Sequence, residues 1–289
     1  MQSPLSRRQL LALSAALASP MPAAVWGQSP SERLPRLVTV SGAITEVVFA
    51  IGAQAQLVGT DTTSLFPAAA LKTPKVGYLR QLSAEGVMSL KPDAVIATSE
   101  AGPPVVLDQL RAAGIRVELV KSAYTWDDVG AKVRAVGRAA RREAAASALL
   151  QQLDDEWRAL QQQIGADQRA KPRVLFMFAP TNAPQVAGGG TAADAMIRFA
   201  GGTNAMTGFQ GYRPMTAEAV ASAAPDVILT TDQGVETLGG AEKFWQRPEL
   251  QLTPAYRKRA LVAQDALLLL GFGPRLAQAV RELNTRLYA

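Results

Sequence analysis

The chain has 289 residues and contains neither histidine nor cysteine. Without histidine there is no imidazole general base and no Ser-His or Cys-His nucleophile pair, and the usual zinc and copper sites are lost. Without cysteine there is no thiolate chemistry, no iron–sulfur cluster, no disulfide and no N-terminal lipid attachment. Aromatic residues make up only 6%, and the basic residues are scattered. The formal charge of +6 therefore lacks the basic-aromatic pattern of a nucleic-acid binder. Beyond the N-terminal leader, no segment reaches the ~18 uninterrupted apolar residues of a membrane span. Gly188-Gly189-Gly190 lacks the G-x-G-x-x-G spacing of a dinucleotide loop, and no Lys-Ser/Thr follows to complete a phosphate loop. A nucleophile elbow and a metal-ligand cluster are also missing from the sequence. These exclusions point away from an enzyme; an exported α/β enzyme is the weaker alternative.

What is present is a folding chain with a leader. Apolar residues are 48% and charged residues 19%, which argues for a packed core and against disorder. Arg7 and Arg8 precede a short apolar run, Leu10 to Ala18, that Pro20 and Pro22 interrupt. This reads as a secretory signal peptide over residues 1–27, cleaved between Ala23 and Gln28. Ser6-Arg7-Arg8-Gln9-Leu10-Leu11 resembles a twin-arginine signal; an ordinary Sec signal is the alternative. The mature protein is expected outside the cytoplasm, in the periplasm, without a lipid anchor.

After the leader, short apolar runs alternate with helical patterns. Residues 37–40, 56–60, 94–98 and 116–120 read as strands, and 44–51, 83–91 and 105–113 as helices. That alternation predicts an α/β lobe with a largely parallel sheet over residues 36–125. From Trp126 to Gly165, apolar residues recur at three-and-four spacing: Val129, Val133, Val136, Ala140, Leu149, Leu153, Trp157, Leu160 and Ile164. The spacing predicts one long helix over 126–166, roughly 55–60 Å long, joining the lobes as a spacer. Strand and helix patterns resume over 171–289, giving a second α/β lobe.

The second lobe echoes the first. SAEGVMSLKPDAVIAT (83–98) and TAEAVASAAPDVILTT (216–231) share seven identities in sixteen ungapped positions. Each is preceded by Gly-Tyr, at Gly77-Tyr78 and Gly211-Tyr212. Two similar lobes on a connecting helix leave a cleft, with both tyrosine loops on its walls.

Lobe, helix, lobe is similar to the helix-backbone class of periplasmic substrate-binding proteins, which serve vitamin B12, siderophore and haem importers. KVGYLRQLSAEGVMSLKPDAVIAT (75–98) resembles the haemin-binding members most closely. GGGTAADAMIRFAGG (188–202), GYRPMTAEAV (211–220) and LLGFGPR (269–275) fit the same subgroup. The resemblance implies a fold of two Rossmann-like lobes and a cargo of haem b, carried as a transported ligand. It implies that Tyr78 is the axial ligand of ferric iron and that Arg80 completes the family's Tyr-x-Arg pattern. It also implies that Glu85 and Glu218 form salt bridges with arginines of an ABC transporter's permease subunits. Some relatives stack two haems and use an additional histidine; with none here, a single haem is expected. The protein is expected to act as a monomer. A ferric siderophore or a corrinoid is the alternative cargo.

The chemistry is coherent. Ferric iron is a hard cation and a phenolate oxygen a hard anionic donor. Iron, aided by a guanidinium, favours the anion of a phenol that otherwise ionises near pH 10. In an extended stretch Arg80 points the same way as Tyr78, toward that anion or a haem propionate. Tyr212 and Arg213 hold the pseudo-equivalent place opposite, toward the porphyrin face and a propionate; plain loop packing is the alternative. Gly188 to Thr191 opens a helix, and backbone N–H groups at Gly189 and Thr191 are candidates to receive a carboxylate. Lys72 and Lys75 read as solvated surface charges. Glu85 and Glu218, each near the start of equivalent helices, also favour the helix dipole.

Overall fold

The computed structural model describes residues 33–178 and 184–289. The described fold is one large unit, Leu34–Ala289. The signal peptide read over residues 1–27 lies outside the described residues. Among those described, no helix is long and apolar enough to cross a membrane.

The large unit begins with β1 (Leu37–Val40), α1 (Gly42–Ala50), β2 (Leu57–Thr60), β3 (Gly77–Tyr78), β4 (Gln81–Leu82), α2 (Ala84–Ser89), β5 (Ala94–Thr98), α3 (Pro104–Ala112) and β6 (Arg116–Val120). Two helices follow, α4 (Trp126–Ala140) and α5 (Glu143–Gly165). Then come β7 (Arg173–Phe178), β8 (Gln185–Ala187), α6 (Ala192–Phe199), β9 (Thr203–Asn204), β10 (Tyr212–Pro214), α7 (Ala217–Ala223) and β11 (Val227–Thr231). The chain ends with α8 (Asp232–Thr237), α9 (Ala241–Trp245), α10 (Pro254–Lys258), β12 (Leu261–Gln264), α11 (Ala266–Leu270) and α12 (Leu276–Leu287).

Each lobe is built on one sheet. The first has the order β2-β1-β5-β6, all parallel. In the second, β7-β11-β12 are parallel while β8 and β10 extend the sheet antiparallel. The triplets β1-β5-β6 and β7-β11-β12 are the repeated element, as the paired sixteen-residue strings anticipate. Strand alternation sorts the side chains of both sheets. Leu37, Ala94, Ile96, Val174, Phe176, Val227 and Leu229 face one apolar core that runs through both lobes. Val38, Val95 and Ala97 face a core private to the first lobe, and Leu175, Met177 and Ile228 one private to the second.

The repeat extends to a clamp. The backbone N–H of Arg36 donates to Asp93 at 2.7 Å, and its guanidinium donates to the carbonyls of Leu90 and Lys91. In the second lobe the N–H of Arg173 donates to Asp226 at 3.0 Å and its guanidinium to the carbonyl of Ala223. In each lobe an arginine entering the first strand satisfies carbonyls at the end of the repeated helix, groups that have no partner within the helix itself.

The connector differs from expectation. In place of one helix over 126–166, α4 and α5 form a hairpin. The chain reverses at Arg141, which adopts the left-handed conformation with φ 54°. Trp126, at the start of α4, stacks on Trp157, deep in α5, with ring centroids 4.6 Å apart. Its indole N–H donates to Asp154 at 2.6 Å. The helices approach closely because Gly137 has no Cβ: one built there would lie 2.5 Å from the Cβ of Ala146. α4 therefore packs with the first lobe, and α5, with 23 residues and ~35 Å of length, is the spine between lobes.

Polar contacts lock the lobes along the spine. Glu46 of α1 accepts two hydrogen bonds from the Arg275 guanidinium, at 2.7 and 2.9 Å. Lys132 of α4, 2% exposed, donates from Nζ to the carbonyl of Phe272 at 2.8 Å.

Candidate ligand site

Tyr78 stands on a two-residue turn. β3 and β4 pair antiparallel, Gly77 opposite Leu82 and Tyr78 opposite Gln81, leaving Leu79 and Arg80 at the tip. Gly77 enters with φ 105°, and a Cβ there would lie 3.0 Å from the carbonyl oxygen of Gln81. Only glycine takes that conformation without strain. Gly211 plays the same part before Tyr212, with φ 78°, so the repeated Gly-Tyr pair has a backbone cause. The hairpin is held from both sides: the carbonyl of Gly77 accepts from Thr62 N–H, and that of Leu79 from Gly102 N–H. Leu79 is buried beneath it while Tyr78 stays 38% exposed.

Arg80 turns back onto Tyr78 through this turn rather than along an extended strand. Its Nη1 donates to the Tyr78 hydroxyl oxygen at 2.7 Å and its Nη2 to Glu100 at 2.8 Å. The other carboxylate oxygen of Glu100 accepts the Tyr124 hydroxyl proton at 2.5 Å. Burial, then the hydrogen bond and charge of Glu100, push the Tyr124 phenol well above its ordinary range, so it stays a neutral donor. Burial works against the Arg80 cation, but Glu100, Tyr78 and Tyr124 outweigh it and raise its pKa.

Glu100 and Tyr124 did not emerge from the sequence. Glu100 follows the carboxyl end of β5, where ligands of α/β sheets gather, and that position was the available signal. Tyr124 gave none, because its role depends on a partner 24 residues away.

The second lobe presents Tyr212 from β10, 43% exposed. Burial and the charge of Glu100 raise its pKa while Arg80 opposes the rise. Tyr212 of the second lobe thus lies within electrostatic reach of the Arg80–Glu100 pair of the first. Arg213 alternates away from it along the strand and lies over the Phe209 ring, 4.6 Å from its centroid.

Gly189 and Thr191 do structural work. Gly189 N–H donates to the carbonyl of Phe209 at 2.9 Å. Thr191, 3% exposed, caps α6: its hydroxyl accepts from Asp194 N–H and donates to the carbonyl of Gly188. The Gly189 N–H, expected as an open donor, is thus already engaged, and the Thr191 contacts are made by its hydroxyl. Lys75 is exposed, as expected of a surface charge, but its ammonium is not free. Its ammonium donates to the Thr60 hydroxyl and to the carbonyls of Ser64 and Ala70, fixing the loop before Tyr78. Glu85 and Glu218 occupy matching first turns of α2 and α7, exposed, behind the caps Ser83 and Thr216.

Residues 37–266 match the periplasmic binding protein family. The solved structure of periplasmic heme-binding protein BhuT in complex with two hemes is 45% identical. Its TM-score is 0.84, with 88% of this chain and 97% of that chain covered. An uncharacterized ABC transporter substrate-binding lipoprotein, YvrC of Bacillus subtilis, is 28% identical over 88% of this chain and 80% of its own length. A vitamin B12-binding protein of Salmonella typhimurium is 28% identical over 73% of this chain and 77% of its own. Two sheets of the same design beside a helical spine, and a match over most of the sequence, lead to one conclusion: this chain belongs to the periplasmic binding protein family.

Proposed function

We propose that the protein binds ferric haem in the periplasm, with Tyr78 as axial ligand, and delivers it to an ABC importer. The observation that carries this reading is the Tyr78 oxygen held at 2.7 Å by Arg80. Tyr78 alone offers iron a single hard donor, so the metal must bring its own equatorial ligands, as in haem. The charges also balance. A ferric porphyrin core carries one positive charge, a phenolate one negative charge, and Arg80 is already paired with Glu100. The bound centre is near neutral, which limits the cost of covering it. The similarity to BhuT supports this cargo. Tyr212 serves as the opposite wall against the porphyrin.

Titrating the cargo-free protein with haemin tests the reading. A ferric tyrosinate spectrum supports it, and an endpoint at one equivalent supports a single haem; no spectral change leaves the cargo assignment without support. A corrinoid is the second reading, favoured by the vitamin B12-binding relative. Under that reading cyanocobalamin binds and displaces haemin.

Glu85 and Glu218 are proposed as the two docking carboxylates for the membrane subunits, because their exposure and matched cap geometry offer one anion per lobe. Changing both to Ala is expected to leave haemin affinity unchanged and to cut uptake through the reconstituted importer by about tenfold or more. Unimpaired uptake would remove the docking role.

A further inference from the structure

We infer that Tyr124 is a positioning residue that ties the Tyr78–Arg80 pair to the second lobe, so that the hold on the cargo follows the state of the lobe junction. The inference rests on the proposed ligation of haem by Tyr78.

The connection is continuous. Tyr124 holds Glu100 with its hydroxyl at 2.5 Å, and Glu100 holds Arg80 against Tyr78. The other end of Tyr124 meets the second lobe: its ring packs edge-on to Phe272, with centroids 5.5 Å apart and planes at 61°. Phe272 is 2% exposed, and its carbonyl is the acceptor for the buried ammonium of Lys132. Both aromatic residues sit in the left-handed region, Tyr124 at φ 56° and Phe272 at φ 52°. That conformation is unfavourable for bulky side chains and persists only where the surroundings enforce it. Here each supports the other across the junction. A slight twist of one lobe against the other shifts Phe272 off the Tyr124 ring and frees it. Glu100 then loses its second partner, and Arg80 is no longer held on the ligand oxygen. Withdrawal of the guanidinium removes the hydrogen bond that holds the Tyr78 oxygen in place, and release becomes easier.

Three conservative variants test this. Tyr124→Phe keeps the ring and removes the hydroxyl. Phe272→Leu keeps apolar volume and removes the edge contact. Glu100→Gln keeps the shape and removes the charge, and stands in for either if it fails to fold. Haem transfer to excess apomyoglobin reads the release rate, and the absorption spectrum reads the iron–tyrosinate bond. Nitrogen NMR of the cargo-free protein reads the Arg80 guanidinium.

Tyr124→Phe is expected to release haem about tenfold faster, with a shifted tyrosinate band, and Phe272→Leu to act in the same direction. The double variant should be no faster than the faster single, because both break one chain. In the cargo-free variants the Arg80 guanidinium signal should broaden as its partners are lost. Wild-type release and spectra in all variants, fully additive rates, or a lowered melting temperature with unchanged release would each overturn the inference. A wild-type protein without the tyrosinate spectrum would instead overturn the ligation reading on which it rests.

Discussion

Tyr78→Phe should bind haemin on the order of a hundredfold more weakly than the wild type, a loss of about 2.7 kcal/mol, and should lose the ferric tyrosinate spectrum. The substitution keeps the ring and deletes one atom, the oxygen that Arg80 holds at 2.7 Å. Any loss then belongs to the iron bond rather than to stacking. Leu79 stays buried, and the hairpin anchors at Gly77 and Leu79 are backbone contacts, so the variant keeps its fold. Arg80→Met should cost less, about tenfold, and should move the band rather than abolish it. Spectral titration of the three proteins side by side decides the matter. Wild-type affinity in Tyr78→Phe would place the ligand elsewhere.

Arg275→Met should be the most destabilising single change, by about 3–5 kcal/mol at neutral pH, the usual cost of stripping a buried carboxylate of its partner. The Glu46 side chain is 5% exposed and Arg275 22% exposed. Burial raises the Glu46 pKa above its ordinary value; Arg275 opposes that rise and Asp265 adds to it. A raised carboxyl pKa means the folded state binds a proton more readily than the unfolded one, so this group's contribution to stability falls as pH climbs through that range. Removing Arg275 widens the window. The deficit of the variant is therefore expected to be small in acid, where Glu46 is neutral in both states, and to grow toward neutrality. Urea melts at several pH values check this. The double change Glu46→Leu with Arg275→Met should recover most of the loss, since apolar pairs replace buried ion pairs well. A single variant equally destabilised at all pH values would mean that packing over Phe66, whose ring centroid lies 3.6 Å from the guanidinium, matters more than charge.

Much of the architecture was legible because its causes are local. Strands β5 and β6 fall where the apolar runs placed them, since short β-branched runs bounded by turns have few other uses. The Gly-Tyr pairs and the repeated strings marked two equivalent loops, and positive φ at Gly77 and Gly211 explains why. The turn at Arg141 was hidden because its left-handed residue is an arginine, flanked by good helix formers and without glycine or proline. At Gly188 to Thr191 the helix start was readable, yet Thr191 spends its hydroxyl on Asp194 and Gly188. Lys75, Glu100 and Tyr124 depend on partners that only tertiary structure supplies. Charged and phenolic side chains in loops carry no periodicity to betray them.

The apolar core that spans both sheets has a mechanical corollary. Ile44 and Val48 on one side and Phe176 and Val280 on the other belong to a single packed body, bridged by Leu153 and Leu160 of the spine. There is no lubricated seam along that flank for a clamshell to gape. Taking up or surrendering a passenger must be done by slight twisting about the stem, and warming should melt both halves in one cooperative step.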